Sequence, residues 1–299
     1  MASFRIAHLS DVHVWKWTFN PFRLLNKRAV GMASLLTGRA RRFRLERLGA
    51  LVEKVESIRP DHVLITGDLT TTSLPEEFDD ALAALRPLLE PPERATVVPG
   101  NHDRYTGASA RDRLFDRAFG RFAAAEEFPW LRVIADRTAV LRPDPTRPAL
   151  SARGKIPAAQ LAAARALWEN HRDDVDRLIV ACHYPIDAPK EFSEQLRSKV
   201  LEDADALARW LATLGPHVYC CGHVHESWAF SPPSVPDQLC LNPGAPLMVD
   251  PRGDNPPGFL EITLDGPNVA AVHHAWTGSS WIERPMVRRD GFFRSRAIE

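Results

Sequence analysis

The chain has 299 residues, of which 44% are hydrophobic and 25% charged, and its 38 basic residues are balanced by 38 acidic ones. That length can bury a sizeable core, and the zero net charge argues against general nucleic-acid binding while leaving room for a local basic patch. The sequence opens with no basic-then-apolar leader and holds no run of about 18 apolar residues, so neither a signal peptide nor a transmembrane helix is expected and a cytoplasmic protein is.

Only six of the basic residues are Lys, a bias that, with abundant Ala, points to a GC-rich bacterial genome. Phe4 to Ser10 alternates like a strand and ends in Asp11-Val12-His13. Residues two apart in an extended segment point the same way, so Asp11 and His13 can hold one metal ion together, while His8 lies inside the strand as a core histidine. Residues 14–48 read as an inserted cap of one or two amphipathic helices, rich in Trp, Phe, Leu and Arg, with breaks at Pro21, Gly31 and Gly38. Its arginines are either solvated on a cap packed against the domain, or form a basic lid or a surface that touches membrane lipid.

Glu46 to Ile58 has a helical apolar face, Pro60 ends it, and Asp61 to Thr66 is a strand with Gly67-Asp68 at its end. This strand–helix–strand order is a βαβ unit, which places both acid-bearing loops at carboxyl ends of strands. Glu76 to Leu89 is a second helix, and Arg94 to Val98 a strand leading into Gly100-Asn101-His102-Asp103, which by itself could be a simple Asx-type turn. Residues 104–135 are mixed and helical, with short strands at Val133-Ile134 and Thr138 to Leu141, then an Ala-rich helix from Pro157 to His171. Leu178 to Cys182 is a buried strand ending in His183, Ser198 to Leu214 a helix, and His217 to Cys221 a strand ending in Gly222-His223-Val224-His225. Phe259 to Leu264 and Val269 to Trp276 pair across a turn, and Met286 to Glu299 is a basic tail without an assigned role. The four cysteines, Cys182, Cys220, Cys221 and Cys240, lie in apolar runs without C-x-x-C spacing and read as buried reduced thiols.

The candidate ligands Asp11, His13, Asp68, Asn101, His183, His223 and His225 each follow a strand and a turn. Seven nitrogen and oxygen ligands exceed the needs of one tetrahedral ion, so two metals are expected. A shared carboxylate can hold two ions about 3.5–4 Å apart, and water between them becomes acidic enough to serve as a hydroxide nucleophile. The mixed N/O set suits Mn or Fe, with Zn possible.

The ordered set D-x-H, G-D, G-N-H-D, H and G-H-x-H resembles the calcineurin-like metallophosphoesterase superfamily, with all five motif blocks present from Asp11 to His225. The resemblance implies an α/β fold, a two-sheet β-sandwich core flanked by helices, here with an N-terminal helical insert. It implies one domain over 1–285 carrying the insert at 14–48, followed by a tail at 286–299. It places Asp11, His13 and His225 on one metal and Asn101, His183 and His223 on the other, with Asp68 bridging. His102 is then the general acid toward the leaving alkoxide, and Asp103 would hold its imidazole and raise its pKa.

Leu9 to His13, the Ser151-Ala152-Arg153-Gly154 loop and the single-domain length are similar to the bacterial class III cyclic-nucleotide phosphodiesterase-like branch. The basic aromatic insert departs from it and equally suits a lipid-linked diphosphate, as in UDP-diacylglucosamine pyrophosphatase-like proteins. A phosphodiesterase acting on a small phosphoester is therefore the expectation. A phosphomonoesterase or nuclease of the same fold, a nucleotide-lipid pyrophosphatase and a non-catalytic metal-binding scaffold are the alternatives. A homodimer through the insert or the C-terminal strands is a further expectation.

Overall fold

The computed structural model describes residues 3–149, 151–197, 199–249, 256–289 and 292–295. Its strands are β1 (Phe4–Leu9), β2 (His62–Ile65), β3 (Ala95–Val97), β4 (Trp130–Ala135), β5 (Thr138–Arg142), β6 (Arg177–Ala181), β7 (His217–Cys220), β8 (Ser227–Phe230), β9 (Gln238–Pro243), β10 (Gly258–Asp265), β11 (Asn268–Trp276), β12 (Trp281–Arg289) and β13 (Phe292–Ser295). They pair in the order β3-β2-β1-β10-β11-β12-β13-β8-β9-β7-β6-β5-β4. The order divides at β12 and β13 into two sheets that lie face to face.

The two-layer core follows from the period of the side chains. In β1, Ile6 joins an inter-sheet cluster with Leu64, Leu260 and Ile262 of the first sheet and Ile179, Ala181, Val218 and Leu241 of the second. The alternate residues Ala7 and Leu9 point the other way, into a cluster with Leu51, Val55, Phe78 and Leu85 of the covering helices. In the second sheet Val180, Cys182 and Tyr219 likewise face a helical layer that includes Leu207, Trp210 and Leu211. Strands apolar on both faces are what parallel pairing with helical crossovers produces. β1, β2 and β3 pair in parallel, as do β5, β6, β7 and β9.

Helix Leu48–Ser57 buries Leu51, Val52 and Val55, a spacing of one face. Helix Pro75–Leu89 starts with Pro75 in its first turn, and the Glu77 carboxylate accepts from the amides of Thr72 and Leu74, which fixes the chain entering the helix. All four cysteines are buried and free, as their apolar flanks implied.

Several boundaries differ from those read in the sequence. β4 begins at Trp130 rather than Val133, because the Trp130 ring is buried. β8 had no separate sequence signal. The helix expected over 198–214 runs only over Ala204–Leu211, preceded by the short helix Ser193–Arg197, and Ser198 lies outside the described residues. The intervening backbone is tied to Gly154 instead: the Gly154 amide donates to Val200 and the Glu202 amide to Gly154. The expected tail contributes backbone to the sheets, since Met286 to Arg289 pair with Phe292 to Ser295, and Phe292 to Arg294 pair with β8. The tail positions 290–291 and 296–299 lie outside the described residues.

The insert is broken more finely than expected. It holds Pro21–Leu24 and Arg28–Ser34, then a wider turn over Leu35–Arg39 with Gly38 at φ 137°, then Ala40–Arg42. Met32 and Leu35 pack on Leu74, with Trp15, Leu24 and Ala40 alongside. Among the described residues no helix is long and apolar enough to cross a membrane.

Candidate metal centre

The loops after β1, β2, β3, β6 and β7 meet at one edge of the sandwich. All seven ligand candidates arrive there in buried positions, His225 at the margin. Five of them, Asp11, His13, Asp68, His223 and His225, have φ between 51° and 73°, in the left-handed region that residues with a Cβ rarely adopt. Only nine non-glycine residues are described with positive φ, so backbone strain is concentrated at this edge, as it is at functional sites. The turns are held close by hydrogen bonds: the amides of Asp11 and His13 donate to the carbonyls of Gly67 and Asp68, both at 2.9 Å. Gly100 and Gly222 are required by space, since a Cβ would run into the Asp68 carboxylate at one and into Ser10 and Asp11 at the other.

The ring protons can be assigned from their partners. Nδ1 of His13 donates to the Thr70 carbonyl at 3.2 Å, Nδ1 of His183 to Thr66 at 2.7 Å, and Nε2 of His223 to Lys199 at 3.0 Å. This last contact turns the Lys199 carbonyl to the site. Each imidazole therefore offers its second nitrogen as a lone pair, the arrangement by which carbonyls orient metal-binding histidines.

Those lone pairs face one another. Nε2 of His13 and Nε2 of His225 are 3.2 Å apart, Nε2 of His183 and Nδ1 of His223 are 3.1 Å apart, and Asn101 Oδ1 is 3.3 Å from His183 Nε2. Asp11 Oδ1 lies 3.1 Å from His225 Nε2 without the alignment of a hydrogen bond, and is a buried acceptor with no donor. Asp68 Oδ2 stands between the groups, 3.6 Å from His13 Nε2 and 3.4 Å from His183 Nε2, while Oδ1 accepts from the His102 amide at 2.7 Å. Acceptors packed this closely repel unless positive charge sits among them. The residues thus fit a pair of divalent ions: Asp11, His13, Asp68 and His225 can hold one, and Asp68, His183 and His223 with Asn101 the other.

The electrostatics agree. Burial alone would push Asp11 up, but the imidazoles of His225, His13 and His183 hold it well below the usual carboxylate range. Asp68 is lowered in the same way, by His183 and His102 against burial. Burial opposes charge on His183, yet Asp68 beside it pushes its pKa up to about 9, so without an ion its Nε2 keeps a proton toward Asp68, and a bound metal would take that proton's place. Burial dominates at His225, lowered to about 4, and at His13, where the neighbouring Arg39 lowers it further.

His102 reaches the same edge. Its Nδ1 donates to the Thr71 carbonyl at 2.6 Å, its ring stacks on Tyr105 at 5.1 Å between centroids, and it meets His13 edge-on at 4.9 Å. Asp103 does not hold that imidazole. Its carboxylate accepts from the amides of Leu69, Thr70 and Gly100 and from the Thr70 hydroxyl, clamping the β2 loop to the β3 loop. Burial, and then the charge of Asp68, raise Asp103 to about 7. The i+1 neighbour in sequence points away because the turn sends successive side chains in different directions. Burial also holds His102 well below the usual imidazole value, with Asp68 opposing. His8, by contrast, is a core residue bonded to the Thr66 hydroxyl at 2.9 Å.

Two insert residues that sequence reasoning had not singled out line the approach. Arg39 of the insert places Nη2 at 3.2 Å from both ring nitrogens of His13, and its buried Nε has no partner. Phe43 packs edge-on against His13 at 4.7 Å. Arg39, Arg42, Phe43, Lys199, His225 and Met248 line a cleft of about 570 Å³. Arg39 stood in the sequence as one arginine in a basic run, and only the kink at Gly38 distinguishes its position.

The profile of the family described as calcineurin-like phosphoesterase matches residues 4–227. Among solved structures, a dimetal phosphatase from Danio rerio is similar with a TM-score of 0.61 at 14% identity, over 94% of this chain and 98% of that one. A purple acid phosphatase from yellow lupin (Lupinus luteus) seeds gives 0.62 at 13% identity, over 94% of this chain and 53% of that one. At these identities the likeness is one of fold. No curated protein matches the chain.

Proposed function

The chain belongs to the calcineurin-like phosphoesterase family, and from that premise we propose that it is a two-metal phosphodiesterase acting through the edge just described. The observation that carries the proposal is the pair of facing lone-pair clusters joined by Asp68, with an open cleft beside them. In this reading Asp11, His13 and His225 hold one ion, Asn101, His183 and His223 the other, and Asp68 both. The ions, when bound, supply an acidified water and electrostatic stabilisation of the phosphoryl oxygens. Their N/O ligands without cysteine suit Mn or Fe, with Zn as contender.

The remaining steps belong to the chain. Arg39 presents donors beside His13, where they can fix a phosphoryl oxygen and set the orientation of the ester. His102, held by Thr71 and Tyr105, keeps Nε2 for the leaving oxygen. Its imidazole is neutral in the buried site, and the negative charge of a bound phosphoester favours the imidazolium that gives up a proton to the alkoxide. Asp103 acts on loop geometry alone. The cleft lined by Phe43, Met248 and Arg39 has room for a second ester substituent, which supports a diester over a monoester. The cations of the insert favour a lipid-linked diphosphate as the second reading. Four buried free cysteines fit a reducing, cytoplasmic compartment.

The test is turnover of the Mn-loaded protein on a bis-aryl phosphodiester and an aryl phosphomonoester. Faster diester hydrolysis supports the reading, and faster monoester hydrolysis overturns it.

A further inference from the structure

Large apolar side chains exposed on a protein surface are normally scattered. Here they are gathered. Among the described residues Trp17 (41% exposed), Phe19 (85%), Phe22 (81%), Leu25 (81%), Val30 (66%) and Leu36 (68%) all lie in the insert, and only Val133 lies elsewhere. In the stretch from residue 28 to 36, Arg28, Gly31, Met32 and Leu35 are buried while Ala29, Val30, Ala33 and Leu36 are exposed, so both faces are apolar and only one is covered. A helical segment apolar all round has a second face that expects a partner.

Charge identifies the partner. Residues 14–45 hold eight basic residues, Lys16, Arg23, Lys27, Arg28, Arg39, Arg41, Arg42 and Arg44, and no acidic one. Arg41, Arg42 and Arg44 are exposed. A second copy of this surface would set the same cations against each other, since a two-fold contact brings like patches together. Lys16, Arg23 and Arg44 are engaged by Asp80, Glu76 and Glu46, and Arg28 by the Thr72 and Ser73 carbonyls. The exposed Arg41 and Arg42 of the same segment leave aromatic and aliphatic side chains with cations that match an anionic lipid surface, where the rings enter the headgroup boundary and the cations meet phosphates. We propose that the exposed face of the insert docks the protein on an anionic bilayer. Arg39 and Phe43 belong to the same segment, so docking turns the cleft toward the membrane; this consequence, that the substrate is a phosphoester carried by lipid, rests on the proposed hydrolase reading, whereas docking itself does not.

The experiment is flotation of the metal-loaded full chain with vesicles of phosphatidylcholine alone or with about 30 mol % phosphatidylglycerol, at low and high salt. The wild type is expected to float with the anionic vesicles, weakly with the neutral ones, and less at high salt. The double variant Phe22→Ser/Leu25→Ser is expected to lose about tenfold or more in partition coefficient. Its melting temperature and its turnover of a soluble aryl diester should not change, because both side chains are exposed and outside the site. Absence of flotation, equal binding to neutral vesicles, or unchanged binding of the variant overturns the proposal. So does a dimer, seen by light scattering, that the double variant dissociates without any vesicle binding. A protein that floats but hydrolyses nothing loses only the proposed reaction, and one that hydrolyses the aryl diester but stays in solution loses only the docking.

Discussion

Replacing Arg39 tests the link between the insert and the metal edge, and the structure sets opposite signs for two readouts. The guanidinium lies 3.2 Å from His13, so a phosphoryl group on the same edge comes within about 4 Å of its charge. Two unit charges at that distance are worth about 4 kcal/mol at an effective dielectric of 20, and the open cleft reduces this to roughly 2 kcal/mol. Arg39→Ala should therefore lower kcat/KM on a phosphodiester about 30-fold. Arg39→Lys keeps the charge and loses the fork, and should recover only part of the loss. Metal binding should move the other way. Arg39 is the strongest charge lowering the His13 pKa after burial, so its removal makes His13 a better ligand. Steady-state kinetics on both substitutions, with metal titration by calorimetry, read the two effects separately. A loss of activity that follows a loss of metal would refute the reasoning, as would a change in kcat/KM of less than about threefold.

Asp68→Ala should abolish hydrolysis and sharply reduce metal content by elemental analysis, because one carboxylate faces both clusters; an active, metal-replete protein would remove the bridge. His102→Ala should slow alkyl esters by about 10²–10⁴-fold and aryl esters with good leaving groups far less, and equal losses on both would take the acid role from His102. Asp103→Asn keeps a neutral acceptor on the clamped loop but adds a donor against amide donors; it should lower the melting temperature without reproducing the leaving-group dependence of His102→Ala. Acid should destabilise the fold through His62, which is buried between β2 and β3 with Nε2 on the Thr96 hydroxyl and a pKa lowered to about 3, chiefly by burial. The unfolded chain takes this proton first, so the stability that neutral His62 allows is complete above pH about 6.5 and falls away below it, by about 2 kcal/mol at pH 5. The difference in unfolding free energy between wild type and His62→Gln, measured by urea titration on metal-free protein, should shrink by that amount between pH 7.5 and 5, and a constant difference would exclude the effect.

Much of the site could be read from the chain because its ligands sit at ends of strands whose period and apolar runs are plain. Asp11 and His13, two apart in sequence, and His223 and His225, likewise spaced, each straddle a turn, and burial of β1 and β7 on both faces forces those turns to the same edge. Asp103 shows where adjacency fails. Its place beside His102 suggested a hydrogen bond, but the peptide turns between them, and the Thr71 carbonyl, 31 residues away in sequence, takes the imidazole proton instead. Such partners are backbone atoms and carry no residue signature. Arg39 was illegible for a different reason. Its neighbours Arg41 and Arg42 have the same chemistry, and what separates them is the Gly38 kink, φ 137°, after which the chain delivers Arg39 to His13 and leaves Arg41 and Arg42 at the surface. The insert therefore joins two environments: one set of its cations completes the buried edge, and the other, with the uncovered apolar face, remains for solvent or lipid. A composition count sees a single basic, aromatic stretch. Packing divides it, because the residues that meet Leu74, the Thr72 and Ser73 carbonyls and the His13 ring are covered while Phe22 and Leu25 are not, and that division is what makes Arg39 and Phe22 separable targets in the two sets of experiments.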